Sequence, residues 1–506
     1  MSSRRFPALA MDDHRFPSLF LIALLSFAAP PAAAAPRTAP AAEPAPVCSL
    51  SEDLASLRAE LLAKAEELAE RAQKAQANVA RDELYRAILC IDPDHKEARK
   101  VLGFAKGKQG WTLKKYVPQK DRGKPEDLAA IAEQRGSLGV DFERRFRAAL
   151  EAAGAEGPAA LDAERRELLA VMWFGDDNIE LRRELGFEFD EEAKLWRMSE
   201  VLAARADRAE RKELLERLLK EVPEPEVTEV DETGAKTGIG FPSVFANERA
   251  LVCSTGKPEE AKRVLQIMHI APDFLSESFR RSDPTLDQKW FVYDLANPNL
   301  RRQFYQNHPD VKPEERERFS NSAAITFGFL ALCGSGEAPA NRYDCISLTR
   351  AGQYLRQIFG LQVERGWAWA GLSTYLSYQL CGTRLTQWIQ DSKYSDGKAK
   401  DLGERLVDPK VDWLLEARLL LEEPGRAASL RTVLGRETKD LGPDELVIGY
   451  AFCAYLFEGR REDLCKILDR MREGQTSPQA VEGVLSMSVE SASQRLLEWL
   501  QAMTGA

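Results

Sequence analysis

The chain has 506 residues, a formal net charge of −10, and 30% charged against 44% hydrophobic residues. That length exceeds one ordinary core and predicts two to three domains of a soluble, ordered protein. Its Lys and Arg alternate with acids along helix faces, so the clustered cations that bind nucleic-acid phosphates are missing, and no nucleic-acid partner is expected.

Residues 1–34 read as a secretory signal peptide. The stretch "MDDHRFPSLFLIALLSFAAPPAAAA" from Met11 has a charged start, an apolar run from Leu19 to Ala29, and then small residues. The run is too short to span a bilayer, and cleavage after Ala34 satisfies the small-x-small rule at Ala32 and Ala34. Either Met1 or Met11 serves as the start. Cys48, in "APVC", lacks the spacing of a lipid-anchored leader. The mature protein is therefore expected to be secreted or periplasmic, with no stable membrane insertion once the leader is cleaved. The chain has eight cysteines, which suits an oxidising compartment. Cys333 with Cys345, and Cys453 with Cys465, are candidate pairs; buried free thiols are the alternative.

Residues 35–48 form a Pro/Ala-rich linker with no means of building a core. A helical domain is expected over 49–220. It opens on a capping box, Ser49-Leu50-Ser51-Glu52, and continues with Leu50, Leu54, Leu57, Leu61 and Leu62 at helical spacing. Two related units follow, at about 80–115 and 163–200. "ILCIDPDHKEARKVLGF", ending at Phe104, matches "VMWFGDDNIELRRELGF", ending at Phe187, at an offset of 83 residues. Each copy reads as a helix stopped by Leu-Gly, with a later tryptophan (Trp111 or Trp196) folding back onto it. The first copy, with Asp-Pro between its helices, resembles a tetratricopeptide helical hairpin. Two copies at a period other than 34 do not make a regular solenoid. A helical spacer is one expectation for this region and a peptide-binding platform is another.

Composition shifts to Pro, Glu, Thr and Gly over 221–244, which reads as a second linker before a domain at 245–506. "RALVCST" (249–255), "KWFVYDL" (289–295) and "AAITFGFLAL" (323–332) read as strands, and "KPEEAKRVLQIMH" (257–269) as a helix with Pro in its first turn. After residue 345 the pattern is almost wholly helical. The predicted class is α+β, predominantly α: a helical N-terminal region, then a small mixed sheet and a helical subdomain.

The frame "WAWAGLSTYLS" from Trp367, the order of elements before it, and the tail "MSVESASQRLLEWLQ" resemble the gluzincin metallopeptidases, the peptidase MA-like group with a thermolysin-type catalytic domain. The resemblance covers about residues 245–506. Exported bacterial members often carry a helix-rich region ahead of this domain. The chemistry of that family needs His-Glu-x-x-His on one helix and a Glu on the next, because two His at i and i+4 share a face and leave Zn²⁺ one position for water. Laid on this chain, the histidine places hold Thr349 and Gln353, the general-base place holds Arg350, and the distal Glu place holds Ala370. A permanent guanidinium at the base position opposes a nearby cation. No metal or other cofactor is expected.

The four histidines, His14, His95, His269 and His308, lie far apart, and His269 and His308 read as surface or capping residues. Glu337, Asp344 and Glu364 are carboxylates near the presumptive cleft, in reach of a weakly held Ca²⁺. Trp367, Trp369, Tyr375, Tyr378, Phe327 and Phe329 are candidate cleft-lining residues. The resemblance therefore implies a pseudoprotease that binds a polypeptide or protein partner, with the strand 323–332 as the edge for β-addition. A hydrolase using other groups of the same cleft, or a purely structural helical scaffold, are the alternatives.

Overall fold

In the computed structural model, residues 52–504 are described apart from 93, 108–109, 114–118, 153–164, 166, 175–177, 193–194, 329, 363, 385–396 and 424–428. The leader, the Pro/Ala linker, Cys48 and the first three capping-box residues lie outside this set.

Helix α1 (Glu52–Lys74) pairs with α2 (Asn78–Ile91) through Leu54, Leu57, Leu61 and Leu68, with Leu62 at the margin. The short α3 (Lys96–Val101) leads through Gly103, at φ 84°, into a hairpin of β1 (Phe104–Gly107) and β2 (Gly110–Leu113). After α4 (Pro125–Ala152) the same design recurs. Helix α5 (Ile179–Glu184) ends at Gly186, φ 78°, and enters the hairpin of β3 (Phe187–Asp190) and β4 (Leu195–Met198). Glycine is required at both places because the left-handed conformation turns the chain from helix to strand. The repeat is thus a short helix joined to a β-hairpin, and the second arm of the expected helix pair is a six-residue helix. In the second unit Trp196 does fold back: the buried Arg182 guanidinium of α5 lies 5.3 Å over its ring.

Helix α6 (Ser199–Glu221) leaves this hairpin and enters the C-terminal half. The expected linker at 221–244 is instead structured. It holds β5 (Glu226–Val227), the one-turn helix α7 (Glu232–Ala235), whose start is capped by Asp231, and the first half of β6 (Ser243–Ala246). Its Pro/Glu/Thr composition reflects an exposed sheet margin. With β7 (Ala250–Ser254), β8 (Trp290–Leu295), β9 (Ala324–Phe327) and β10 (Ala331–Ser335), these strands form a sheet of order β5-β6-β7-β8-β10-β9. The pairs β7–β8 and β8–β10 are parallel; the outer pairs are antiparallel. The stretch 323–332 is therefore two strands, not one. Gly328, at φ 58°, follows β9 and the chain reverses, which sends β10 inside and leaves β9 at the edge.

Alternation along the strands fills two layers. Val252, Val292 and Leu332 meet α8 (Pro258–Phe279) and α11 (Pro339–Phe359) on one face. Leu251, Tyr293, Leu295 and Cys333 meet α9 (Leu300–Asn307) and α10 (Arg316–Ser320) on the other. Helix α8 runs ten residues beyond His269, through Pro272, and the adjacent His269 carbonyl accepts from Arg249 Nη1 at 2.8 Å.

The remainder is helical: a single π-helical turn (Trp367–Gly371), α12 (Leu372–Cys381), α13 (Gly397–Leu406), α14 (Trp413–Glu422), α15 (Leu430–Gly435), α16 (Pro443–Gly459), α17 (Arg461–Arg472), α18 (Ser477–Leu485) and α19 (Val489–Thr504). Helix α16 is buried at every residue from 446 to 458, as a helix apolar on all sides must be. Helix α6 fastens the second repeat unit to this core. Arg495 of α19 donates to Glu200 at 2.8 Å and to the Gly186 carbonyl at 3.0 Å. No helix among the described residues is long and apolar enough to cross a membrane.

Candidate functional site

The candidate site lies on α11 and the turn that follows it. Pro339 sits in the first turn of α11, and Gly360, φ 62°, ends it. Its sheet-facing side carries two buried guanidiniums. Arg342 Nε meets Asp294 at 2.7 Å, and Arg350 pairs with Asp283, with neither partner of either pair exposed to solvent. Arg350 also donates to Thr285 Oγ1 at 3.1 Å and lies 4.9 Å over the Trp290 ring. Asp283 in turn accepts from the Thr285 backbone N–H at 2.8 Å and its hydroxyl at 2.7 Å. Burial pulls the guanidinium below its ordinary pKa and Asp283 opposes this. Arg350 therefore points into the interior and staples α11 to the loop between α8 and β8.

Thr349 and Gln353 are both half-buried and stand one helical turn apart on a shared face. Thr349 Oγ1 donates back to the Cys345 carbonyl at 2.6 Å, so its hydroxyl is spent within its own helix. Ala370 is buried within the π-helical turn. Trp369 reaches α11 at Gly352, where an added Cβ would stand 2.7 Å from the indole. The helix carrying Thr349, Arg350 and Gln353 and the turn carrying Ala370 are thus packed on each other, at a residue directly beside Gln353. The π-helical turn is set by a close crossing: a Cβ on Gly371 would stand 2.8 Å from the Gly449 carbonyl of α16.

The aromatic candidates divide. Trp367 is buried against Phe452 at 5.2 Å, and Tyr375 is buried with its hydroxyl donating to Glu458 at 2.6 Å, so neither lines a cleft. Tyr378 is half-buried beneath the Arg384 guanidinium at 4.1 Å. Phe327 turns inward from β9 onto His308, and Phe329 lies outside the described residues.

The remaining polar candidates do not gather. Glu337 and Glu364 are exposed, whereas Asp344 is buried. Asp344 accepts from the Thr383 hydroxyl and the Cys381 thiol, and burial pushes its carboxyl up to about 6. Among the described residues no group of three His, Cys, Asp or Glu is placed to hold a metal ion, and all seven described cysteines are free. His269 and His308, expected as surface or capping residues, are both buried, and His308 does cap the end of α9. His95 caps α3, accepting from the Ala98 N–H at 3.2 Å.

A cavity of about 690 Å³ opens elsewhere, between α6, the end of α8 and the α16–α17 corner. Its charges are largely paired off: Arg461 with Asp207, Arg281 with Asp469 at 2.6 Å, Arg460 with Asp463 at 2.8 Å, and Glu458 with Arg208 at 2.9 Å. Sequence reading missed this network and the Arg350–Asp283 pair because their members come from distant segments.

β9 is one of the sheet's two edge strands, the other being the two-residue β5. Ser335 N–H donates to the Ala323 carbonyl at 2.8 Å, so the antiparallel alternation bonds Ile325 and Phe327 to β10. The N–H and C=O groups of Ala324 and Thr326 face away from the sheet. Compared with known protein families, curated proteins and solved structures, the chain matches none.

Proposed function

We propose that this chain is an exported, non-catalytic relative of the gluzincin metallopeptidases that binds an extended polypeptide along β9. The observation that carries the non-catalytic half is Arg350. The place of the general base holds a permanent cation, turned inward and neutralised by a buried carboxylate. No proton can be taken by that group. Thr349, Gln353 and Ala370 supply neither imidazole nor carboxylate to a metal.

The binding half is supported by the edge strand. β9 ends the sheet beside α11, and Ala324 packs against Cys345 and Leu348 of that helix. A partner strand laid on it would meet two free N–H and two free C=O groups at the two-residue spacing of β-addition. Export is supported by the leader-like run at residues 19–34.

Hydrogen exchange in the presence of a library of extended apolar peptides tests this reading. Binding is expected to slow the amides of Ala324 and Thr326 and to leave α16 unchanged. Saturating binders that protect some other surface, or a library without binders, would leave the structural-scaffold alternative in its place.

A further inference from the structure

His308 ends α9 and is 1% exposed. Its ring is walled by Tyr293 at 5.3 Å, Phe304 at 5.1 Å and Phe327 of β9 at 4.7 Å. Nδ1 accepts the Asp310 N–H at 3.3 Å, which fixes the turn at 308–311, and the buried Nε2 has no hydrogen-bond partner among the described residues. Asp310 in that turn lies against the reversal after β9, its Cβ 4.0 Å from where a Cβ on Gly328 would stand. One imidazole thus supports β9 twice, through the Phe327 ring and through the turn under Gly328.

That arrangement tolerates only the neutral ring. A second proton would convert Nδ1 from acceptor to donor, setting it against the Asp310 N–H, and would place a charge among aromatic rings. The charged and titratable groups around it are few. Asp310 lies in the turn and Asp231 ahead of α7, and Asp231 already accepts from Tyr293 of β8 at 3.0 Å and from Thr233. The facing side chains of α9 and β9, Phe304 and Phe327, are uncharged. Burial lowers the imidazole below its ordinary value, and the two carboxylates only partly oppose this.

We propose that His308 is a proton-operated latch: neutral, it holds β9 and the 308–311 turn against the sheet, and its protonation releases the edge strand. The support is complete above about pH 6.5, the ordinary imidazole value, and is lost as the pH falls below it. The latch concerns the order of β9 itself and holds whether or not a polypeptide binds there.

Hydrogen exchange of the full chain at pH 7.5 and 5.0, corrected for intrinsic rates, tests it. The amides of Ile325 and Phe327, which bond to β10, should exchange at least about ten-fold faster at pH 5.0, a change of about 1.4 kcal/mol, while those of α16 stay constant. In His308→Gln, whose amide oxygen still accepts from Asp310 and never charges, the acceleration should vanish. The same acceleration in that variant, or none in the wild type, overturns the latch. Should the variant not fold, imidazole titration by NMR on wild-type protein decides: the midpoint of β9 loosening must coincide with protonation of His308, and a mismatch overturns the proposal.

Discussion

Arg350 and Asp283, 67 residues apart, form an ion pair with both side chains wholly buried. Removing one member strands the other charge in the interior, which costs about 3–5 kcal/mol. Arg350→Met is therefore expected to lower unfolding stability by that amount. Arg350→Met with Asp283→Leu should recover most of it, because an apolar pair leaves no orphan charge. Urea denaturation of the three proteins measures both effects.

A second prediction concerns the helix crossing at the π-helical turn. Gly371 and Gly449 bring two backbones together where a Cβ would stand 2.8 Å from a carbonyl. Gly371→Ala forces the helices apart and should cost about 1–3 kcal/mol. Gly382→Ala offers a contrast. No atom lies within 4 Å of the added Cβ there, so only the strain of φ 77° is felt. Thermal unfolding should show the Gly371 variant lowered with its π-helical packing lost, and the Gly382 variant folded with its packing intact.

Asp344 has the opposite pH sign to His308. Its carboxyl is raised from 3.8 to about 6 by burial, so the charged form is disfavoured in the fold. The penalty is present in full above about pH 6 and fades as the pH falls toward 3.8. Asp344→Asn should stabilise the protein by up to about 3 kcal/mol at pH 7.5 and make little difference near pH 4. Denaturant midpoints across that range check the sign. A variant less stable at pH 7.5 would mean that Thr383 and Cys381 outweigh the burial cost.

A metal graft asks whether the helix pair has the zinc-site geometry that the proposed kinship requires. Thr349→His, Gln353→His and Ala370→Glu together supply the two imidazoles and the carboxylate on a pair of helices already packed at Gly352. Arg350 is kept to preserve its pair with Asp283. Metal analysis should find about one zinc per chain in the triple variant and none held tightly by the wild type.

The repeat was legible because Leu-Gly-Phe recurs with its later tryptophan, and the α1 leucines because their spacing is helical. Other features were not. The hairpin at 323–332 has apolar residues in both arms, and Gly328 alone marks its turn. β5 and β6 hide in a segment whose prolines and acids imitate a linker. His308 sits before Pro309 and reads as a loop residue, since nothing local tells that Tyr293, Phe304 and Phe327 close over it. Arg350 stands out in the sequence as a misfit, yet its partner lies two α-helices and three strands away. Local periodicity encodes elements, whereas buried ion pairs depend on the tertiary fold.

The central claim, polypeptide binding at the β9 edge, meets its most direct test in two proline variants. The N–H of Thr326 faces outward, so Thr326→Pro removes a donor that the sheet does not use. The account predicts a folded protein that no longer binds the peptides that protect wild-type Ala324 and Thr326. Ile325→Pro breaks a bond to β10 and should lose stability instead. Undiminished peptide affinity in folded Thr326→Pro would contradict the account.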